Sequence, residues 1–464
     1  MLVMVVLLGG CSRLLGLDDP VGSDAGPIDG GADGDARGPL ACLVPAAGSP
    51  VAAPCHECVV GPSPATASAS ACVAAVCAAA RSCCAGTWDE RCTELADERC
   101  RLHCGTAVSF GGFGSVSYGV WQSGGDFRSG VRVESEEGYT QSVAWGDVDL
   151  DGDADLATAG DCAARVLRND GWVAGALAFT PLLTWSFPSC SASPAHGRRV
   201  LLYDVDRDGH LDVVVGGQIG AFWRRFRDGG FDDPQAISSA QDGVVNDVAV
   251  GDLEGDGATD AVVIIAVPGG TAVNVRRLEY DGARFVLDTG WSSADANIED
   301  ASVLQLCDLA GGPDRELVVS GFGGMAAFQL IDGRIANPVI PRTGGYPDVT
   351  CGNLDGDDKE ELIGASDTID VIDIEAGAPK VIWRSRDQDP PLVVRSGGLD
   401  AGDIDGDGRV DVVIGHNPEE GEEDIIVLLN GPSAGFDPVV RRFSDFFLGH
   451  DMRAAEIVFL AAPP

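Results

Sequence analysis

One acidic segment recurs six times along this 464-residue chain, and nothing else in the sequence narrows the fold as much. The clear copies read DVDLDGDAD from Asp147, DVDRDGHLD from Asp204 and DIDGDGRVD from Asp403. DLEGDGATD from Asp252 and NLDGDDKEE from Asn353 are close variants, and DLAGGPDRE from Asp308 is a worn one. Oxygen-bearing side chains fall at relative positions 1, 3, 5 and 9, and a short apolar run follows each time. Copies succeed one another at intervals of roughly 50 residues, the period range of propeller blades.

The runs after the loops (LATAG, VVVGG, AVVIIA, ELVVSG, VVIGH) are short and rich in β-branched residues, and SVAWGD, VLLYDV and DVAVGD precede them. Each loop therefore reads as the turn of a hairpin between two buried strands. A lone hairpin cannot cover its apolar face, so neighbours must stack around a shared core. Residues 107–138 add strand-like material with no loop before it (SVSYGV, FRSGVRVES), and AAEIVFLA from Ala454 to Ala461 adds an inner strand with nothing after it. Joining the two ends would close the ring and remove open sheet edges. The expected fold is all-β, a propeller of seven blades, with six or eight as alternatives.

The D-x-D-x-D-G-x-x-D loops with their flanking apolar strands resemble FG-GAP and VCBS repeats, as in the seven-bladed propeller at the head of integrin α chains. The resemblance spans residues 106–464 and implies loops that bind calcium on one face of the propeller.

The chemistry of the loops points the same way. Calcium takes six to eight hard oxygen ligands at about 2.3–2.6 Å. Side chains at positions 1, 3 and 5 of a tight turn can converge on one point, position 7 can add a main-chain carbonyl and position 9 a last carboxylate. Glycine at position 6 supplies φ > 0 without steric cost. The expected sites are Asp147, Asp149, Asp151 and Asp155; Asp204, Asp206, Asp208 and Asp212; Asp252, Glu254, Asp256 and Asp260; Asn353, Asp355, Asp357 and Glu361; and Asp403, Asp405, Asp407 and Asp411. Their carbonyl donors are Asp153, His210, Ala258, Lys359 and Arg409. The fourth copy has Ala310 and Gly312 in place of acids and Pro313 at position 6, so it should be empty and fold differently. An isolated acidic turn is commonly just solvated; five matched copies favour about five Ca2+ ions. Without a cation, clustered carboxylates would raise one another's pKa. The ions would stiffen hairpins rather than do chemistry.

The N-terminus adds an address. Residues 1–10, MLVMVVLLGG, span only ~15 Å as a helix, too little to cross a membrane. Leu8-Gly9-Gly10-Cys11 resembles a bacterial lipobox, which implies lipidation of Cys11; a plain cleaved signal is the alternative. Ser12 rather than Asp follows, which favours the outer membrane, with the chain facing the periplasm or the surface. Residues 12–40, rich in Gly, Asp, Pro and Ala, read as a disordered tether.

Residues 41–105 hold Cys42, Cys55, Cys58, Cys72, Cys77, Cys83, Cys84, Cys92, Cys100 and Cys104. An even number in a small exported module implies a disulfide framework on short helices, its connectivity open. The VC…CC…WD..C…C pattern resembles a Cys-rich module found beside repeats in exported bacterial proteins. A zinc site from Cys55, His56, Cys58 and Cys100 is the sharper alternative. Cys162 and Cys190 can bridge within a blade. Cys307 and Cys351 precede equivalent loops in adjacent blades, so a cross-blade bridge is open to them if the span is short enough.

A net charge of −41 excludes nucleic acid as a partner, since phosphates would be repelled. The sequence carries no H-E-x-x-H, no G-x-S-x-G and no phosphate-cradling loop, and its six histidines are scattered. The expected function is therefore non-enzymatic: a monomeric, calcium-binding, lipid-anchored envelope propeller, or adhesin, that binds a glycan or a protein. A calcium-dependent polysaccharide lyase or hydrolase and a purely structural envelope protein are the alternatives. Trp145, Trp185, Trp223 and Trp291 could stack on sugar, though blade core is the commoner place for such residues.

Overall fold

The apolar runs on either side of each acidic loop form antiparallel strands, as their composition requires. The computed structural model describes residues 105–460 with short interruptions, together with residues 80 and 82. Cys11, the cysteines from Cys42 to Cys104, Cys162, Cys190 and Trp291 lie outside the described residues, and so does the expected helical module.

The first sheet contains β1 (Gly105–Gln122), β2 (Asp126–Arg128), β3 (Arg132–Gly146), β4 (Asp155–Gly160), β5 (Ala163–Val173) and β6 (Ala176–Ser186). A second sheet is formed by β7 (Gly197–Tyr203), β8 (Asp212–Gly217) and β9 (Gly220–Arg224). The ribbon β10 (Phe226–Arg227) and β11 (Gly230–Phe231) then leads to its outer strand, β12 (Gln235–Ser239). The third holds β13 (Val244–Gly251), β14 (Asp260–Ala266), β15 (Val273–Tyr280) and β16 (Phe285–Leu287). The fourth holds β17 (Ala301–Cys307), β18 (Glu316–Gly321), β19 (Gly324–Ile331) and β20 (Arg334–Thr343). The fifth is β21 (Asp348–Gly352), β22 (Glu361–Ala365), β23 (Ile369–Glu375) and β24 (Ala378–Arg384). The sixth is β25 (Ser396–Gly402), β26 (Asp411–His416), β27 (Asp424–Leu429) and β28 (Val439–Ser444), and β29 (Ala454–Leu460) ends the described chain.

Six four-stranded meanders result, β3 to β6 being the first blade, so the propeller has six blades and not the leading count of seven. The strands expected to make a separate seventh instead continue the first sheet. The N-terminal part of the long β3 pairs with β1 and its C-terminal part with β4. The two ends of the chain do meet as expected: β29 pairs antiparallel with β1, from Gly105 opposite Leu460 to Gly111 opposite Ala454. β29 lies beside β25 of the sixth blade and β3 of the first, which closes the ring. A closed ring leaves no inner edge for another chain to extend.

Each blade buries its faces against the next. Leu201, Val214 and Trp223 of the second blade pack with Val248, Val263 and Leu278 of the third. Leu354, Ile363 and Val371 of the fifth pack with Leu399, Val412 and Ile426 of the sixth. Trp145 and Trp223 are core residues, 0% and 1% exposed, which removes them as sugar platforms. Close approach between blades explains the glycine before several loops. A Cβ on Gly352 would stand 2.8 Å from Cγ1 of Val410, in the next blade. Polar links cross the same boundaries: Val200 N–H donates to Ser142 Oγ at 3.1 Å, and Leu304 N–H to Asp247 Oδ2 at 2.8 Å.

One boundary is covalent. Cys307, at the end of β17, is bonded to Cys351 in β21, with Cα atoms 6.0 Å apart. The span between adjacent blades is thus short enough for a bridge, and both cysteines are buried among Val303, Leu309 and Val349.

Candidate metal centres

All six acidic loops join the first and second strands of a blade, so the propeller carries them on one face. Their shared frame is set by position 9, which begins the second strand and is fully buried in every copy (Asp155, Asp212, Asp260, Glu316, Glu361, Asp411). One oxygen of that carboxylate accepts the main-chain N–H of position 2. The donors are Val148 at 2.9 Å, Val205 at 3.1 Å, Leu253 at 3.0 Å, Leu309 at 2.7 Å, Leu354 at 2.6 Å and Ile404 at 2.9 Å. In the first, second and sixth loops the other oxygen accepts Asn169, Phe226 or Asn430 N–H, each at 2.8 Å. Position 9 is therefore a staple of the hairpin as well as a candidate ligand, a role that the ligand pattern alone does not reveal.

Position 1 holds the turn from the other side. Asp147, Asp204 and Asp403 accept the N–H of position 5 at 3.1, 3.0 and 3.1 Å. Asn353 accepts Gly356 N–H at 2.7 Å. Position 5 in turn accepts the N–H of position 7: His210 to Asp208, Lys359 to Asp357 and Arg409 to Asp407. The left-handed residue expected at position 6 is present as Gly209, φ 90°. Position 4 is left-handed too, as Leu150 (62°), Arg207 (60°), Gly311 (71°) and Gly356 (81°). The sequence carried that signal, because glycine fills position 4 in the third to sixth copies. In the described part of the worn fourth loop Gly311 and the Leu309–Glu316 bond reproduce the common frame, and Pro313, on which the expected difference rests, lies outside the described residues.

Among the described residues, these bonds leave carboxylate oxygens converging in four loops. Ligand atoms of Asp147, Asp149 and Asp155 lie within 4.8 Å of one another, as do those of Asp204, Asp206 and Asp212, of Asp355, Asp357 and Glu361, and of Asp403, Asp405 and Asp411. Ligands on opposite sides of a calcium ion stand about 4.6–5.2 Å apart, so the spacing fits that ion. The donor set fits as well, being hard oxygen throughout. Asp149 Oδ1, Asp206 Oδ1 and Glu361 Oε1 are buried without a hydrogen-bond partner among the described residues, the condition a cation relieves.

Electrostatics agree in direction. Burial, partly offset by the main-chain N–H donors, pushes Asp155 and Asp411 up to about 7 and Asp212 and Glu361 to about 8. Neighbouring carboxylates add to the rise, but burial is the larger cause, where the sequence pointed to mutual repulsion. Burial likewise raises Asp149, Asp204 and Asp405.

Basic side chains that the ligand pattern did not flag stand around the loops. Arg225 lies against Asp206 and, at 3.7 Å, Asp208; Lys359 Nζ is 3.6 Å from Asp357; Arg409 lies against Asp407. The third loop differs from the rest. Asp252 and Ala258 meet Arg207, Asp260 meets Arg277, and Glu254 and Asp256 lie outside the described residues, as does Asp153 of the first loop. His210 is half-buried, its ring 5.9 Å from that of Phe226.

Away from the loops, Trp185 is half-buried near the far end of β6, with Cζ of Arg224 5.5 Å from its ring centre and Phe222 edge-on at 5.9 Å.

Comparison with known proteins agrees with this geometry. The FG-GAP-like repeat matches residues 147–215 and 204–263, the first three loops and the strands between them. A domain of unknown function (DUF8252) matches residues 47–104, which contain nine of the ten N-terminal cysteines. No curated protein matches the sequence. Among solved structures, the chain is similar to an Agrocybe aegerita lectin described for its specific recognition of non-reducing terminal N-acetylglucosamine. The TM-score is 0.53 at 16% identity, over 78% of this chain and 96% of the lectin. The chain is thus a β-propeller carrying FG-GAP-like repeats.

Proposed function

We propose that this protein is a calcium-stiffened propeller, held at the cell envelope by a lipid on Cys11, that recognises a glycan. The observation that carries the reading is the fourfold recurrence of converging carboxylates, three of the four sets with a buried, unpartnered oxygen. Calcium at those corners would neutralise charge that burial disfavours and fix the blade turns, leaving the connecting loops as rigid recognition surfaces. Weak extracellular-type loops bind at about 10⁻⁴–10⁻³ M, so they fill outside the cytoplasm.

A glycan is favoured as partner by the shared fold with a lectin and by the aromatic platform of Trp185, Phe222 and Arg224. The test is a glycan array with 5 mM calcium and with EGTA. Binding in calcium that EGTA abolishes supports the reading. Silence on glycans beside capture of an envelope protein would refute the glycan assignment, and equal binding in EGTA would refute the role of calcium.

A further inference from the structure

We propose that the third acidic loop is closed by two arginines instead of a divalent cation, so that calcium occupies the first, second, fifth and sixth loops alone. The inference rests on the calcium reading for those four loops but not for the third. Arg207, at position 4 of the second loop, reaches across the blade boundary. Its Nη2 lies 3.4 Å from Asp252 Oδ2 and 3.2 Å from the carbonyl oxygen of Ala258. Those are positions 1 and 7 of the third loop, both of them ligand positions in the calcium pattern. The guanidinium thus stands where the ion would take two of its oxygens.

Position 9 is committed as well. Asp260 Oδ1 accepts Nε and Nη2 of Arg277 at 3.1 and 2.8 Å, and its Oδ2 accepts Leu253 N–H at 3.0 Å. In the first, second and sixth loops the corresponding Oδ1 accepts a neutral main-chain N–H, which leaves the carboxylate charge for an ion. Arg277 spends that charge. It is 3% exposed and held by a second acid, Asp288, 3.4 Å from Nη1, so it has no route out. A divalent ion beside this fixed, desolvated guanidinium would meet repulsion instead of a free ligand. The second loop shows the contrast. Arg225 contacts Asp206 and Asp208 but leaves the position-9 acid Asp212 to the main chain, so no buried guanidinium takes up that carboxylate's charge.

The full chain is tested as Asp252→Asn and Asp206→Asn, each melted in 5 mM calcium and in EGTA, with bound calcium counted by equilibrium dialysis. An exposed ion pair on a chain of this size moves Tm by on the order of 1 °C. Asp252→Asn should lower Tm by that amount in both buffers and leave the calcium count at the wild-type value. Asp206→Asn should remove one ion and lower Tm by more in calcium than in EGTA, where only its pair with Arg225 is lost. Arg207→Ala should match Asp252→Asn, and the double variant should lose no more than either. An Asp252→Asn loss confined to calcium, with one ion fewer, would overturn the assignment. A wild type and an Asp206→Asn variant both indifferent to EGTA would sink the calcium reading, while an Asp252→Asn loss in EGTA would still support closure by arginine.

Discussion

Breaking the Cys307–Cys351 bridge is the cleanest way to measure what holds adjacent blades together. The bond joins the strands that lead into the fourth and fifth loops, across a sequence separation of 44 residues. Cross-linking a loop of that size removes about 4 kcal/mol of chain entropy from the unfolded state. Unfolding roughly 350 residues carries an entropy near 0.75 kcal/mol/K, so the loss converts to a fall in Tm of about 5 °C. The perturbation is Cys307→Ala with Cys351→Ala in the full chain, read by calorimetry in calcium and in EGTA. The fourth loop keeps its frame through Glu316, and Glu360 Oε2 accepts Asp308 N–H across the same boundary at 2.8 Å. Its carboxylates at positions 3 and 5 are replaced by Ala310 and Gly312, so the fourth loop should contribute no ion to this boundary. The fall should therefore be the same in both buffers. A shift under about 1 °C would show that the packing alone fixes the boundary, and a shift confined to EGTA would mean that the bridge and calcium share one task.

Stability without calcium should depend on pH. Asp155, Asp212, Glu361 and Asp411 have folded pKa values raised to about 7, 8, 8 and 7, above those of unfolded carboxyls. The folded state then holds protons that the unfolded state releases, and that advantage, complete below about pH 4, is lost as pH rises through 7–8. Even one pKa unit at each site amounts to about 5 kcal/mol, so melting in EGTA should fall steadily from pH 5 to 8.5 and the slope should flatten in calcium. A flat profile in EGTA would contradict the burial of these groups. Gly352→Ala forces a Cβ to within 2.8 Å of Val410, whose branched side chain cannot yield freely; the variant should lose about 1–3 kcal/mol, read as a lower Tm. Trp185→Ala should weaken glycan binding in calcium while leaving the EGTA-dependent change in Tm as in the wild type, and unchanged binding would remove Trp185 from the recognition surface.

Much of the fold was legible because the acidic loops mark a fixed point in every blade. Hydrophobic runs on both sides of Asp147, Asp204 and Asp403 had one arrangement that buried them, and the pairing of β29 with β1 followed from unmatched strands at the two ends. The blade count was not legible, because it depends on β3 running 15 residues through two pairings, and no local signal marks where one ends. At the sites, the ligand positions were readable and the competitors were not. Arg277 and Arg225 come from strand regions beyond the loops, and Arg207 enters from a neighbouring blade, so only the folded chain brings them to the carboxylates. Position 9 illustrates the same limit. Its spacing announces a ligand, whereas its double bonding to the main chain emerges only once the second and third strands lie side by side.

Equilibrium dialysis of the calcium-depleted chain against 5 mM Ca2+, paired with melting curves in the same buffers, puts the cation-held ring to trial. Four ions per chain and a Tm raised by several degrees are expected from the four converging carboxylate sets. No bound calcium and identical melting in EGTA would contradict the account.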